Sequence, residues 1–156
     1  MTAEQILDFN KFGCGSRCLM KLSELYGKPI NKEEFCQKFS TYFPYPETQY
    51  GGTVVSSLID IARHMGICNG FADTSVDPEL CKAAFLNRQT RGVFLITERE
   101  KDKNNEICIN HHCRLLLNWE DDKLLVWHPN PDGTEREMTL EKEQLPERLA
   151  NFVLLY

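Results

Sequence analysis

The hydrophobic period of this chain changes about halfway along it. Up to about residue 86, apolar residues recur every three to four positions; from residue 93 onward they come in short extended runs. The first spacing lines one side of a helix, and the second suits strands. Helices first and antiparallel strands later restrict the fold to the α+β class, with N-terminal helices packed on a C-terminal antiparallel sheet.

The helical half divides at its breakers. Gly15 to Tyr26 sets Cys18, Leu19, Leu22, Leu25 and Tyr26 along one stripe, and Gly27 with Pro29 ends it. Asn31 opens a second helix with Glu34 three residues on, and Ile30 and Phe35 sit where a hydrophobic staple would. Thr41 to Gly52, with two prolines, clustered aromatics and a Gly-Gly pair, reads as a loop. A packing role for its rings is weighed against a substrate groove. A third helix runs from about Thr53 to Met65 and stops at Gly66, and Asp77-Pro78 opens a shorter one around Leu80 to Leu86. In the second half, Val93 to Ile96 is a short buried strand and polar Glu98 to Glu106 an exposed loop. His112 to Trp119 and Lys123 to His128 form a hairpin about Glu120-Asp121-Asp122. Asp132-Gly133 is another turn, and Asn151 to Tyr156 a final strand.

No repeat or Gly/Ser-rich linker divides the chain, so residues 1–156 read as a single domain. The net charge of -5 lacks the basic field that nucleic acid requires, and no apolar run approaches the roughly 20 residues of a membrane span. The opening Met1 to Gln5 has no signal-peptide shape. With seven cysteines and no such signal, free thiols in a reducing, cytoplasmic setting are the expectation. The sequence leaves the oligomeric state open.

Two segments can carry chemistry. In Gly13-Cys14-Gly15-Ser16-Arg17-Cys18 the first cysteine stands at a helix start, where the dipole favours a thiolate and the backbone amide can help bind an oxyanion. A small residue in a tight turn is the plainer reading of Cys14. In Cys108-Ile109-Asn110-His111-His112-Cys113, a histidine on a strand can be held rigidly beside a cysteine from another element. Cys14, Cys18, Cys108 and His111 would also make four zinc ligands. Their spacing is not that of a zinc knuckle, so neither a metal nor another cofactor is expected. His64 reads as a surface or satisfied residue, and Cys36, Cys68 and Cys81 as core thiols.

In order and spacing these segments resemble the bacteriocin-processing, double-glycine leader peptidases and their papain-like relatives. That family has an Asp-Cys-Gly turn entering a helix that ends Tyr-Gly, matched by Gly13-Cys14-Gly15 and Tyr26-Gly27. It has a glycine before a further helix, matched by Gly52-Thr53 through Met65-Gly66. A histidine enters an apolar strand, as His112 does before Cys113 to Leu117, and an Asp-Pro follows the next strand, where Trp127-His128-Pro129 stands. The resemblance covers nearly the whole chain and implies a papain-like fold. It also implies a Cys14/His112 pair with His128 in the acid's place, and a peptide or protein substrate. The chain departs from the pattern at three positions. Asp8 stands where a glutamine completes the oxyanion hole, with Asn10 or Gln5 as substitutes. Gly13 replaces aspartate, and His128 replaces the acid, with Asn130 as another group that could orient the histidine. The expected function is a cysteine-dependent hydrolase of a peptide bond or glutamine amide. Its rival is a degenerate domain that binds a peptide or partner protein without cutting it.

Overall fold

The structure, a computed structural model, describes residues 1–42, 55–75, 77–87, 90–101, 104–145 and 149–156; for 73–75, 98–101, 107–111 and 149–150 it describes the backbone alone. Helices α1 (Ala3–Phe12), α2 (Cys14–Leu25), α3 (Lys32–Phe39) and α4 (Val55–His64) come first, followed by strand β1 (Phe71–Ser75) and helix α5 (Pro78–Leu86). Strands β2 (Gly92–Lys101), β3 (Ile107–Glu120), β4 (Lys123–Pro129), β5 (Glu135–Glu141) and β6 (Leu149–Leu155) complete the chain. The six strands form one sheet in the order β1-β6-β2-β3-β4-β5, with every pairing antiparallel. The architecture is the α+β arrangement that the change of period predicts.

Local signals account for the helix ends. The Asn31 side chain accepts the Glu34 amide at the start of α3. Asp77 accepts the amides of Glu79 and Leu80 at the start of α5, with Pro78 in the first turn. Gly27 and Gly66 follow α2 and α4 at φ values of 70° and 69°, a left-handed turn that favours glycine.

Three elements go beyond the sequence reading. Helix α1 is fixed by a reciprocal capping box between Thr2 and Gln5. β1 and β5 are the two edge strands, and β5 reads Glu-Arg-Glu-Met-Thr-Leu-Glu, with little apolar alternation to announce it. The expected loop from Glu98 is corrected as well. β2 continues through Lys101, because pairing down to Lys101 opposite Ile107 satisfies its backbone whatever its side chains are. Of the expected aromatic loop, Thr41 and Tyr42 are described, and the rest lies outside the described residues, as does the expected helix start at Thr53.

The sheet is buried on both faces. Phe94, Cys113, Leu115, Trp127, Val153 and Leu155 join the core beneath α1 to α4, with Phe9, Leu19, Leu22, Phe35 and Ile61. On the other face Val93, Leu95, Leu116, Val126, Phe152 and Leu154 pack with Cys81 of α5. Side chains of one strand alternate between these two cores, and this alternation positions the candidate site.

Candidate functional site around Cys14

Cys14 is the first residue of α2, and Gly13 joins that helix to α1. The Gly13 amide donates to Phe9 O at 2.8 Å, and its carbonyl accepts from the Arg17 amide at 2.8 Å. A Cβ on Gly13 would strike the Phe9 carbonyl oxygen, so the close succession of α1 and α2 leaves no room for the aspartate that the resemblance expects. A Cβ on Gly15 would meet the side chain of Leu58, so this glycine lets α4 close against the start of α2.

Arg17, one turn beyond Cys14, fixes this helix start. Only 5% of its surface is exposed. Its Nη1 donates to Asn10 O (3.3 Å) and Asn130 O (2.5 Å), and its Nη2 to Gly133 O (3.1 Å) and Thr134 O (2.7 Å). One guanidinium thus ties α1, α2 and the β4–β5 turn together. Such charge-assisted bonds compensate for its burial.

The Cys14 sulfur accepts the backbone N–H of Cys113 at 3.4 Å. Cys18, one turn on and fully buried, donates its thiol to the Cys113 carbonyl, also at 3.4 Å. The β3–β4 ladder runs from Glu120 opposite Lys123 to Leu115 opposite Trp127. Cys113 lies just beyond its last pair, and two thiols of α2 meet its peptide groups there. Burial pushes the Cys14 thiol up to about 11, and Cys113 beside it adds to the rise; the amides of Cys113, Gly15 and Cys14 pull in the opposite direction. Desolvation therefore outweighs the helix start that favours a thiolate.

His112 and His128 come together in the structure. Their ring centroids are 4.5 Å apart, at 41° between planes. Arg114 Nε donates to His128 Nδ1 at 2.9 Å and its Nη1 to Thr97 Oγ1 at 2.8 Å, while Thr97 Oγ1 donates to His112 O at 3.2 Å. Cys113 and Leu115 face the helices, so His112 and Arg114, at alternating positions, turn to the α5 face. The described contact of the Cys14 sulfur is thus the Cys113 amide, and the two imidazoles group with Arg114. The side chain of His111, like Cys108, lies outside those described.

The other expected participants are engaged elsewhere. Gln5 closes the capping box of α1, the Asn10 carboxamide oxygen accepts from Lys32 Nζ at 2.5 Å, and Asn130 Nδ2 donates to Thr134 Oγ1 at 3.0 Å. Asp8 is half-buried on α1. His64 is exposed, with its Nδ1 2.8 Å from Asp60 O, and Cys68 and Cys81 are buried. Among the described residues no cluster of three or more metal-ligating side chains could hold an ion. Arg17 is the residue of this site that sequence reasoning missed: it lies off the apolar stripe of α2, and its partners on α1 and the β4–β5 turn are brought to it only by the fold.

Comparison with solved structures places the fold. The chain superposes on the crystal structure of the peptidase domain of Streptococcus ComA, a bi-functional ABC transporter involved in a quorum-sensing pathway. The TM-score is 0.55 at 16% identity, over 91% of this chain and 88% of that one. No family profile and no curated protein matches. The chain shares the α+β fold of that peptidase domain, the papain-like fold that the resemblance implies.

Proposed function

We propose that this peptidase-like domain is a cysteine-dependent hydrolase of a peptide bond or glutamine amide, with Cys14 as nucleophile and one of the two histidines His111 and His112 as proton carrier. The observation that carries this reading is the position of Cys14, at the first residue of α2 and beneath an amide of β3, within a fold shared with a peptidase domain. The thiolate would attack the carbonyl carbon, the Cys14 amide would help hold the oxyanion, and the imidazole would pass the proton to the leaving amine before water releases the acyl group. A peptide or protein is the substrate in this reading, and the setting is cytoplasmic. No described helix is long and apolar enough to cross a membrane.

The sixteen-residue spacing to His128 selects His112 for proton transfer, whereas strand alternation turns His112 and Cys113 to opposite faces. Alanine at each histidine decides between them. We expect His112→Ala to lower thermal stability, through its lost stack on His128, and to leave Cys14 alkylation within about twofold of the native rate. His111→Ala is expected to abolish turnover of a peptide library. If only His112→Ala abolishes turnover, the spacing argument wins.

The second reading is binding without cleavage. A thiol pushed up to about 11 is protonated at neutral pH unless substrate or an imidazole changes its surroundings. Peptides that bind the native protein and Cys14→Ala equally well, and emerge uncut, would establish it.

A further inference from the structure

Three of the seven cysteines converge beside the candidate site, from two elements far apart in sequence. The Cys14 sulfur lies 3.4 Å from Cys113 N, and the Cys18 sulfur lies 3.4 Å from Cys113 O. All three belong to, or pack against, the core under α2, and none is in a disulfide. Their exposure differs. Cys18 is 0% and Cys113 3% exposed, whereas Cys14 is half-buried. An oxidant from solvent therefore meets Cys14 first, with Cys113 as the neighbouring thiol on the strand that already touches it.

We infer that Cys14 and Cys113 form a reversible disulfide under peroxide, which takes the nucleophile out of service and shields it from irreversible oxidation. The Cys14 thiolate attacks one peroxide oxygen, the O–O bond breaks, and Cys14 sulfenic acid and hydroxide result. The Cys113 sulfur then attacks the Cys14 sulfur, the S–S bond forms, and the sulfenic oxygen leaves as water. Two thiols give up two electrons and two protons, and one peroxide becomes two waters. A disulfide needs Cα atoms about 4.4–6.8 Å apart. The Cys14 sulfur already meets its partner's amide at 3.4 Å, so the bond calls for the Cys113 sulfur to rotate towards it and for a small approach of α2 and β3 wherever the Cα atoms stand further apart than that. Of the other described cysteines, Cys36 stands on α3, Cys81 on α5, and Cys68 between α4 and β1.

That the disulfide silences catalysis rests on the proposed role of Cys14; the pairing itself can be read without any turnover. Native protein is treated with hydrogen peroxide, blocked with N-ethylmaleimide and digested with trypsin without reduction. Cleavage after Arg17 puts Cys14 and Cys18 on different peptides, so fragmentation identifies the partner. The expected product is 2 Da lighter, joins the Cys14 peptide to Cys113, and reverts with dithiothreitol. Its rate should climb about tenfold per pH unit between roughly 7 and 9, as the thiolate fraction of Cys14 rises. In Cys113→Ala, Cys14 should run on to the sulfinic acid, which dithiothreitol does not reverse. A Cys14–Cys18 link, a link to Cys108, or Cys14 sulfinic acid in the native protein at the yield seen in Cys113→Ala would each overturn the inference.

Discussion

Arg114 donates its Nε hydrogen to His128 Nδ1 across 2.9 Å. A guanidinium can only donate, so His128 Nδ1 carries no proton and the ring is neutral, with its hydrogen on Nε2. The residue that the resemblance sets in the acid's place is therefore partnered by a cation. This inverts the electrostatics of a triad, in which a carboxylate holds the catalytic imidazole.

An aspartate at position 128 would consequently face Arg114. His128→Asp is expected to form an ion pair there and to leave the pH profile of Cys14 alkylation within about twofold of the native one, since a paired charge is largely cancelled at a distance. A fall in the apparent thiol ionisation of more than about one unit would show that position 128 acts on Cys14 after all.

Cys14 should titrate late. The apparent midpoint of its alkylation rate is expected near 11 in the folded protein and near 9.0 in urea. Because the folded value is raised, the associated stability is fully present below about pH 9 and is lost as pH rises through about 11. Urea denaturation at about pH 8 and about pH 10.5 should show native protein losing more stability than Cys14→Ala over that window.

Gly13 is expected to tolerate no side chain. Gly13→Ala and Gly13→Asp each push a Cβ onto the Phe9 carbonyl oxygen, and a cost of about 1–3 kcal/mol is expected for such overpacking. Thermal unfolding should give a lower midpoint for both. An unchanged midpoint would mean that α1 shifts freely against α2.

Arg17→Met removes four donated hydrogen bonds while keeping much of the side-chain volume. A loss of about 1–3 kcal/mol is expected, because charge-assisted bonds to the carbonyls of α1 and of the partly exposed β4–β5 turn are lost. Arg17→Lys should recover only part of it, since one ammonium cannot reproduce a planar fork. Urea midpoints of the three proteins check this order.

The helix boundaries at Gly27, Asn31, Gly66 and Asp77 were legible in the sequence because each rests on a short-range rule of capping or of positive φ. The β3–β4 hairpin was legible as well, since its apolar runs are long. β1 and β5 were not, because edge strands are stabilised by pairing with a neighbour and carry little pattern of their own. The start of α2 at Cys14 could be read from the flanking glycines, but the surroundings of its sulfur could not. The meeting with the Cys113 amide depends on where the β3–β4 ladder ends. Adjacent histidines in a sequence look interchangeable until the parity of the strand is fixed, and here Cys113 and Leu115 fix it through their contacts with the helices.

β3 changes register against β2 between Thr97 opposite His112 and Arg99 opposite Ile109, so three steps on β3 match two on β2. Such a bulge works as a clutch between two lengths of one strand. The inner length, which carries Cys113, is geared to the hydrophobic core and cannot slip without burying the wrong residues. The outer length, from Ile107 to Ile109, pairs with Arg99 to Lys101 on the far side of the bulge. Insertions or deletions near the β2–β3 tip can therefore accumulate in related sequences without turning Cys113 away from Cys14. An alignment gap at that point would leave the thiol site in register.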